Sequence, residues 1–519
     1  MKKNNMLRRW KSLSVACLMA CSLAFAGAAG AHADAAKAPW EKDAPKSGSL
    51  TIKKLKDGEA GGVETPVKGA EFTVKKVTNV GKQSAPNLKT QKGWKDLAAK
   101  VDGLNDGSIT PTFDTASEKK KETTDNGEAK FENLEIGIYQ VTESKVPAGY
   151  SSDVKPFYIT IPQILKAADG SNNPTYKYDV EVKPKNKDVS SLVTKKADTS
   201  KTVVAGDTIS YTIEAGINKT KDGKGSDVTK DDLQGYTVFD DALKDAYTDL
   251  ASGVKKVTVG DQELILIADY TVDSANDTPE DNTRTRVQVK FTDSGLEKIA
   301  KAVNMKSDAK VKVDLIFTIK ADYNKDEIVN KFGFTPGYNK TNGETQPDPV
   351  VPEKKDGTDP NPKTVLRNFQ IMKVSAKDGT TALKDAKFKI FASEEDAKKC
   401  AQDPSVEANC ANASSFGEKS TSDNGKTSEV KAIVGRDFWV VETEAPDGYA
   451  RLNIPTKVNI NENKADDPYV VKIENVPTAD SGLWFNLPKT GATGVIIFAL
   501  AGLTLVAAGT AAYLRGRQS

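Results

Sequence analysis

The stretch "YDVEVKPKNK", Tyr178 to Lys187, places a lysine where its amine could do chemistry. Val180 and Val182 alternate with charged residues, which is typical of a half-buried strand. Pro184 follows between two lysines, and because proline has no N–H it ends strand pairing and stiffens the backbone. Lys185 should therefore be held in a fixed and reachable place, as a nucleophile for an external enzyme must be. The alternative is that the lysines here only keep a linker solvated.

The two ends of the chain exclude several other chemistries. A basic segment, an apolar run and small residues precede Asp34, which predicts a secretory signal peptide over residues 1–33. His32 is the sole histidine and lies in that signal, so the mature chain has none for a catalytic triad or a metal site. The mature chain keeps Cys400 and Cys410, which an oxidising exterior would join in a disulfide worth about 2–3 kcal/mol. We expect no metal and no cofactor.

The C-terminal sequence predicts a transmembrane helix that would hold the exported chain in the membrane. An uncharged run of 20 residues, 495–514, is followed by two arginines. At about 1.5 Å per residue a helix of this length reaches about 30 Å, the thickness of a bilayer core, and the arginines would lie on the cytoplasmic side. Removal of both ends takes away seven basic residues and no acid. The mature net charge is then about −5, which argues against a nucleic-acid partner.

Short alternating segments separated by Gly, Asp, Asn and Pro run along most of the chain. That rhythm predicts an all-β fold of tandem β-sandwich domains. Segments of the first domain return in the same order in the third, as when "YQVTESKVPAGY" returns as "WVVETEAPDGY", so two copies of one sandwich should flank a different one. The expected divisions are 1–33 signal, 34–187 first domain with an insertion at about 91–123 that includes a short helix, 188–345 middle domain, 346–363 proline-rich linker, 364–483 third domain and 484–519 C-terminal signal.

The C-terminal sequence LPKTG, with its apolar span and short basic tail, resembles the cell-wall sorting signal of Gram-positive surface proteins. In that family a sortase cysteine cleaves between threonine and glycine and passes the threonine carboxyl to an amine. The resemblance implies an exported protein whose precursor is held in the plasma membrane. The implied sortase motif is Leu487, Pro488, Lys489, Thr490 and Gly491.

The repeated segments resemble the B-type immunoglobulin-like domain of collagen adhesins, and "VTESKVPAGY" and "VETEAPDGY" are similar to its E-box. In that family a first-strand lysine and a last-strand asparagine join in an intramolecular isopeptide bond, with the E-box glutamate between them. The resemblance implies two trios, which are Lys373, Glu442 and Asn475 in the third domain and Lys54, Glu143 and Asn186 in the first. Lys53 leaves the register of the first trio open, and some similar pilins lack the N-terminal bond.

The chemistry of such a bond requires these residue types. An amine attacks only when unprotonated, so Lys373 must be buried among apolar neighbours that lower its pKa. A carboxylic acid in the same apolar site can polarise the Asn475 carbonyl and shuttle protons as ammonia leaves. The event happens once per molecule, so the chain is not expected to be an enzyme with turnover. The alternative is a partly exposed ion pair between Lys373 and Glu442 on a sheet.

The middle domain resembles a pilin fold in which a first-strand lysine, an aspartate in a "YTVFD" segment and a late asparagine play the same roles. The implied residues are Lys195, Asp240 and Asn330. Lys196 and Asp241 compete because doubled residues hide the register. Lys195 is preferred because it shares a strand face with Val193.

The stretch "YKYDVEVKPKN" resembles the pilin motif of class C sortase substrates, W-x3-V-x-V-Y-P-K. Tyr176 replaces the tryptophan and Lys183 replaces the tyrosine, while the two valines, the proline and the final lysine match. The resemblance implies that Lys185 accepts the Thr490 carboxyl of a neighbouring copy.

Together these resemblances imply a structural subunit of a covalent, sortase-assembled surface pilus that is attached to the cell wall and supports adhesion. The implied partners are pilus-specific and housekeeping sortases, other copies of the chain, minor pilins, peptidoglycan, and a host surface protein or glycan. The alternative is a monomeric wall-anchored adhesin, in which Lys185 has no role. A secreted hydrolase with paired carboxylates is a third hypothesis, but no such pair stands out beyond the E-box and middle-domain acids.

Overall fold

The computed structural model describes residues 37–58, 63–166, 174–221, 226–278, 281–354, 357–462 and 467–479. They form two compact units that divide between Leu366 and Arg367. No helix within these residues has both the length and the apolar character needed to cross a membrane. The predicted signal peptide, the LPKTG motif and the predicted span 495–514 all lie outside the described residues.

The N-terminal domain is a sandwich of short strands. One sheet has the order β12-β1-β6, and the other has the order β4-β3-β7-β9, with β5 also paired to β3. Buried apolar side chains from both sheets, Leu50, Ile52, Phe72, Phe131 and Val141 among them, form the core. The strands are β1 (Ser47–Lys53), β2 (Leu55–Lys56), β3 (Glu71–Val80), β4 (Gln83–Ser84), β5 (Pro111–Glu122), β6 (Glu128–Glu135), β7 (Gly137–Lys145), β8 (Tyr150–Ser151), β9 (Phe157–Ile161), β10 (Gln163–Lys166), β11 (Pro174–Lys177), β12 (Asp179–Val182) and β13 (Lys185–Asp188).

The inserted region of this domain forms two helices and a strand. The helices are α1 (Gln91–Ala98) and α2 (Val101–Asn105), and Thr90 caps α1 by accepting from the Gly93 N–H. Their buried leucines, Leu97 and Leu104, pack on the outer side of the sheet. Beyond the helices the insertion returns as β5, which pairs along β3.

The first and last strands of the N-terminal domain lie side by side. β1 pairs with β12 in parallel, with Ile52 opposite Val182. β2 then pairs in parallel with β13, with Leu55 opposite Lys185. Pairing is interrupted at Pro184 and resumes directly at Lys185, so the proline breaks the strand rather than ending it.

The middle domain packs two larger sheets, ordered β14-β15-β22-β18-β19, with β17 also on β22, and β20-β21-β16-β24. Helix α3 (Asp293–Met305) begins at the cap Thr292 and buries Leu296, Ile299 and Val303. Val350, inside the proline-rich segment, is buried and bridges Phe334. The strands are β14 (Val193–Asp198), β15 (Thr208–Gly216), β16 (Thr237–Leu243), β17 (Tyr247–Thr248), β18 (Val254–Val259), β19 (Gln262–Glu263), β20 (Tyr270–Thr278), β21 (Asp281–Phe291), β22 (Lys310–Ile319), β23 (Glu327–Val329) and β24 (Lys331–Thr335).

The C-terminal unit repeats the layout of the N-terminal domain. β25 (Lys363–Ser375), which enters this unit at Arg367, pairs in parallel with β31 (Tyr469–Asn475) from Phe369 onward, so the first and last strands are again neighbours. The other strands are β26 (Lys387–Phe391), β27 (Lys419–Ser420), β28 (Val430–Ile433), β29 (Asp437–Glu444) and β30 (Thr456–Asn459). Helix α4 (Glu394–Gln402) packs through Ala397, Cys400 and Ala401, and a disulfide joins Cys400 to Cys410.

Candidate functional site

The C-terminal unit brings Lys373, Glu442 and Asn475 together in its core. They come from β25, β29 and β31, and all three are at most 2% exposed. Lys373 Nζ contacts Asn475 Oδ1 and lies 3.0 Å from Glu442 Oε1. Asn475 Nδ2 donates to the same Glu442 oxygen at 2.7 Å. The carboxylate therefore touches both the amine and the amide.

Burial changes the chemistry of this lysine. Its Nζ lies 5.6 Å from the centre of the Phe388 ring, inside the sandwich. Because burial penalises the charged amine more than Glu442 favours it, the pKa of Lys373 falls to about 8. Glu442 Oε2 accepts from the Leu452 N–H at 2.7 Å, which holds the carboxylate in place. A lysine in such a site is available as a neutral nucleophile near neutral pH.

The N-terminal domain has the corresponding trio, Lys54, Glu143 and Asn186. Lys54 Nζ lies 2.9 Å from Glu143 Oε2, and Asn186 Nδ2 donates to Glu143 Oε1 at 2.7 Å. All three are at most 2% exposed, and burial lowers the pKa of Lys54. The Asn186 Oδ1 atom is buried without a hydrogen-bond partner. Lys53 instead faces the surface, where it pairs with Glu128 and Glu181.

The middle domain brings Lys195, Asp240 and Asn330 together. Lys195 Nζ contacts Asp240 Oδ2, and Asn330 Nδ2 donates to that oxygen at 3.3 Å. Burial lowers the pKa of Lys195 to about 8 and raises the pKa of Asp240, which favours a neutral amine beside a neutral acid. The alternatives lie elsewhere: Lys196 is exposed, and the Asp241 carboxylate accepts from the Arg286 Nε at 2.8 Å.

Each trio suits one reaction. The neutral lysine Nζ would attack the asparagine Cγ, and the acid would protonate the departing amide nitrogen. A new C–N bond would form as the old one breaks, and ammonia would leave. In the N-terminal domain and the C-terminal unit the lysine and asparagine lie on adjacent parallel strands, so such a bond would tie the two ends of the domain together. In the middle domain β14 and β24 belong to different sheets, so the bond would join the two sheets.

Three supporting residues did not emerge from the sequence. The Ser152 hydroxyl donates to Glu143 Oε2 at 2.6 Å and is itself buried. Arg451 and Leu452 hold the Glu442 backbone and carboxylate in the C-terminal unit. The sequence could have pointed to them, since all three lie two or three residues after the Gly-Tyr pair that ends each E-box segment.

Lys185 lies at the start of β13, outside the core. Its side chain is 46% exposed, and a carboxylate oxygen of exposed Asp57 lies 4.0 Å from its Nζ. The flanking lysines are held more closely. Lys183 Nζ pairs with Glu64 at 2.8 Å, and Lys187 Nζ donates to the Asn218 carbonyl at 3.2 Å. Of these three lysines, Lys185 is the one that an external enzyme can reach most easily.

Comparison with known proteins places the chain among surface appendage proteins. A family model described as the SpaA prealbumin-like fold domain matches residues 48–174 and 367–476, and one described as the LPXTG cell wall anchor motif matches residues 485–519. The chain is 26% identical to the type 2 fimbrial subunit of Actinomyces naeslundii, over 91% of this chain and 90% of the relative. It is 27% identical to the type 1 fimbrial subunit of Actinomyces viscosus, over 89% of each.

A solved structure supports the fold. The full-length major pilin SpaD from Corynebacterium diphtheriae is 24% identical and superposes with a TM-score of 0.51, covering 83% of this chain and 98% of that one. Three findings point to the same kind of protein. They are the two prealbumin-like domains, the wall-anchor motif and the similarity to fimbrial subunits along nearly the whole chain. These findings support a sortase-anchored pilin of Gram-positive bacteria.

Proposed function

We propose that this chain is the shaft subunit of a covalent pilus, in which Thr490 of one copy is joined to Lys185 of the next. A pilus sortase would break the peptide bond between Thr490 and Gly491 and pass the threonine acyl group to the Lys185 amine. One amide bond breaks and one forms, so the exchange needs no other reactant. Because donor and acceptor are different parts of the chain, the contact repeats without closing and grows a fibre.

The position of Lys185 is the observation that carries this proposal. A sortase must bring its acyl intermediate to an amine that is exposed and held on a regular backbone. Lys185 begins a strand paired on one side with Leu55, while its side chain is nearly half exposed. Lys183 and Lys187 occupy the same strand end but are engaged by Glu64 and Asn218.

The buried trios support the same function. We propose that they mature into the isopeptide bonds Lys373–Asn475, Lys195–Asn330 and Lys54–Asn186, promoted by Glu442, Asp240 and Glu143. A fibre under tension pulls the ends of a domain apart. Because copies are joined at Lys185 and Thr490, the tension runs through the middle and C-terminal domains, and a covalent bond between the first and last strands of each would keep these domains folded under load.

The sorting signal implies the remaining partners. A housekeeping sortase would join the last subunit to peptidoglycan through the same Thr490 acyl chemistry, and minor pilins would occupy the tip or base. Binding to a host protein or glycan is proposed as the purpose of the fibre.

Lysine-to-arginine exchange tests the proposal, because arginine keeps the charge but does not accept the acyl group. Lys185→Arg should reduce the high-mass, SDS-resistant ladder of wall extracts to monomer. Lys183→Arg and Lys187→Arg are matched controls on the same strand end and should keep the ladder. Mass spectrometry should find Thr490 joined to Lys185 in wild-type polymer. A full ladder from Lys185→Arg would refute this linkage, and wild-type protein found only as wall-bound monomer would favour the adhesin.

A further inference from the structure

The last loop of the middle domain is held in place by hydrogen bonds within that domain. We name residues 338–347 the strap. Asn339 Nδ2 donates to Asp232 Oδ1 at 2.7 Å, and the Glu344 N–H donates to the Asn339 carbonyl at 3.1 Å. Just before the strap, Asn218 and Gly337 exchange two hydrogen bonds of 2.7 and 2.8 Å. The strap is therefore held in shape by its own domain.

The strap lies against the E-box strand of the N-terminal domain. β9 pairs with β7 only as far as Val141. Further along β7, the Thr345 hydroxyl donates to the backbone carbonyl of Glu143, and Val146 forms a bridge with Pro347. The strand segment that carries the glutamate of the N-terminal trio is thus held by residues of another domain.

In the C-terminal unit the equivalent backbone carbonyl, that of Glu442, accepts a hydrogen bond from a residue of the same unit. There β30 pairs with β29 only as far as Val440, and Arg451 Nη1 donates to the Glu442 carbonyl at 3.3 Å. Arg451 lies nine residues after Glu442. The residue nine positions after Glu143 is Ser152, whose hydroxyl donates to the Glu143 carboxylate instead. The two copies of this domain type therefore differ in where the donor to this carbonyl comes from.

Charge and shape hold the strap on the N-terminal domain. Lys219 of the middle domain is 9% exposed, contacts the Asp153 carboxylate of the N-terminal domain and lies 2.7 Å from Glu344 Oε2 of the strap. Burial opposes the charged amine, but these two carboxylates outweigh it and raise the pKa of Lys219. Gly343 turns the strap with a φ of 76°, and a Cβ there would approach Pro156 Cδ to 3.0 Å.

We propose that the strap positions Glu143, so that the N-terminal cross-link forms efficiently only after the middle domain has folded against it. In that step a bond forms between Lys54 Nζ and Asn186 Cγ, the Cγ–Nδ2 bond breaks, and ammonia leaves. Thr345 and Lys219 are positioning residues, since neither touches the reacting atoms. The inference rests on the proposed N-terminal bond, and it makes the C-terminal bond independent of any neighbouring domain.

The test compares cross-links within one molecule. Full-length mature protein carrying Thr345→Val is expressed and digested, and the fraction of each cross-linked peptide is followed over time by mass spectrometry. The Lys54–Asn186 peptide should form about tenfold more slowly, the rate factor that corresponds to loss of one hydrogen bond. The Lys373–Asn475 peptide should form at the wild-type rate and serves as the internal reference.

Three further variants separate positioning from general damage. Thr345→Ser keeps the hydroxyl and should restore the wild-type rate, while Thr341→Val changes an exposed threonine of the same strap and should have no effect. Lys219→Met should slow the same single cross-link. The inference is overturned if Thr345→Val cross-links normally, if all cross-links slow together, or if wild-type protein never forms the N-terminal bond. Ladders that persist in Thr345→Val show that the pilus proposal stands separately.

Discussion

Replacement of Glu442 by glutamine should remove the C-terminal cross-link and with it a measurable part of the stability of that unit. Glutamine keeps the shape of the side chain but cannot relay protons between Lys373 and the departing amide nitrogen of Asn475. The variant should therefore retain the ammonia that wild type loses, a difference of about 17 Da in the digested C-terminal peptides.

The size of the stability loss follows from the loop that the bond closes. Lys373 and Asn475 are 102 residues apart. By analogy with a disulfide, closing a loop of about 100 residues removes about 4.7 kcal/mol of chain entropy from the unfolded state. For a domain of this size, that corresponds to a fall in the melting temperature of roughly 20 °C. Scanning calorimetry of the ectodomain measures the shift.

Two control variants test whether the effects of Glu442→Gln come from loss of the cross-link. Glu444→Gln changes an exposed glutamate of the same strand, which pairs with Lys387 at the surface, and should leave both mass and melting temperature near wild type. Asn475→Ala removes the same bond from its other end, so the double variant with Glu442→Gln should melt little below either single variant. A Glu442→Gln protein that still loses ammonia would refute the catalytic role, and bond loss without a lower melting temperature would refute the entropy argument.

Two further predictions concern the lysines. Lys54→Met should abolish the N-terminal cross-link because Lys54 is the buried amine, whereas Lys53→Met should leave it intact because Lys53 pairs with surface glutamates; peptide mapping that found the reverse would contradict the observed register. When unfolded, uncross-linked protein is refolded, Lys373 should react about tenfold faster for each pH unit up to its pKa of about 8 and then level off, since only the neutral amine attacks. A rate independent of pH between 6 and 8, measured by mass in quenched samples, would exclude amine deprotonation as the limiting factor.

Much of the fold was accessible from local patterns. Alternating segments with turn residues between them predicted strands, and the all-β class is confirmed. The repeated E-box segments predicted two related domains, and the same family model matches both. The helix predicted in the insertion is present, but the strand β5 that follows it was not anticipated. Its pairing with β3 is a long-range contact, which the alternation of one segment does not reveal.

The sequence by itself determined which reactive residue types are present and in what order. It showed that no histidine and a single pair of cysteines follow the predicted signal peptide, and that Lys185 follows a proline after an alternating segment. It also aligned the lysine, acid and asparagine of each trio, because those residues lie in recognisable short segments. These properties depend on residue type and order alone.

Tertiary structure decided which member of each doubled pair faces inward. Neighbouring strand residues point to opposite faces, so Lys53 and Lys54, or Lys195 and Lys196, cannot both be buried. The direction is set by the sheet that packs on the other side, through residues far away in the sequence. The same holds for the donor to the Glu143 carbonyl, since Thr345 is 202 residues distant and reaches that strand only when the domains are assembled.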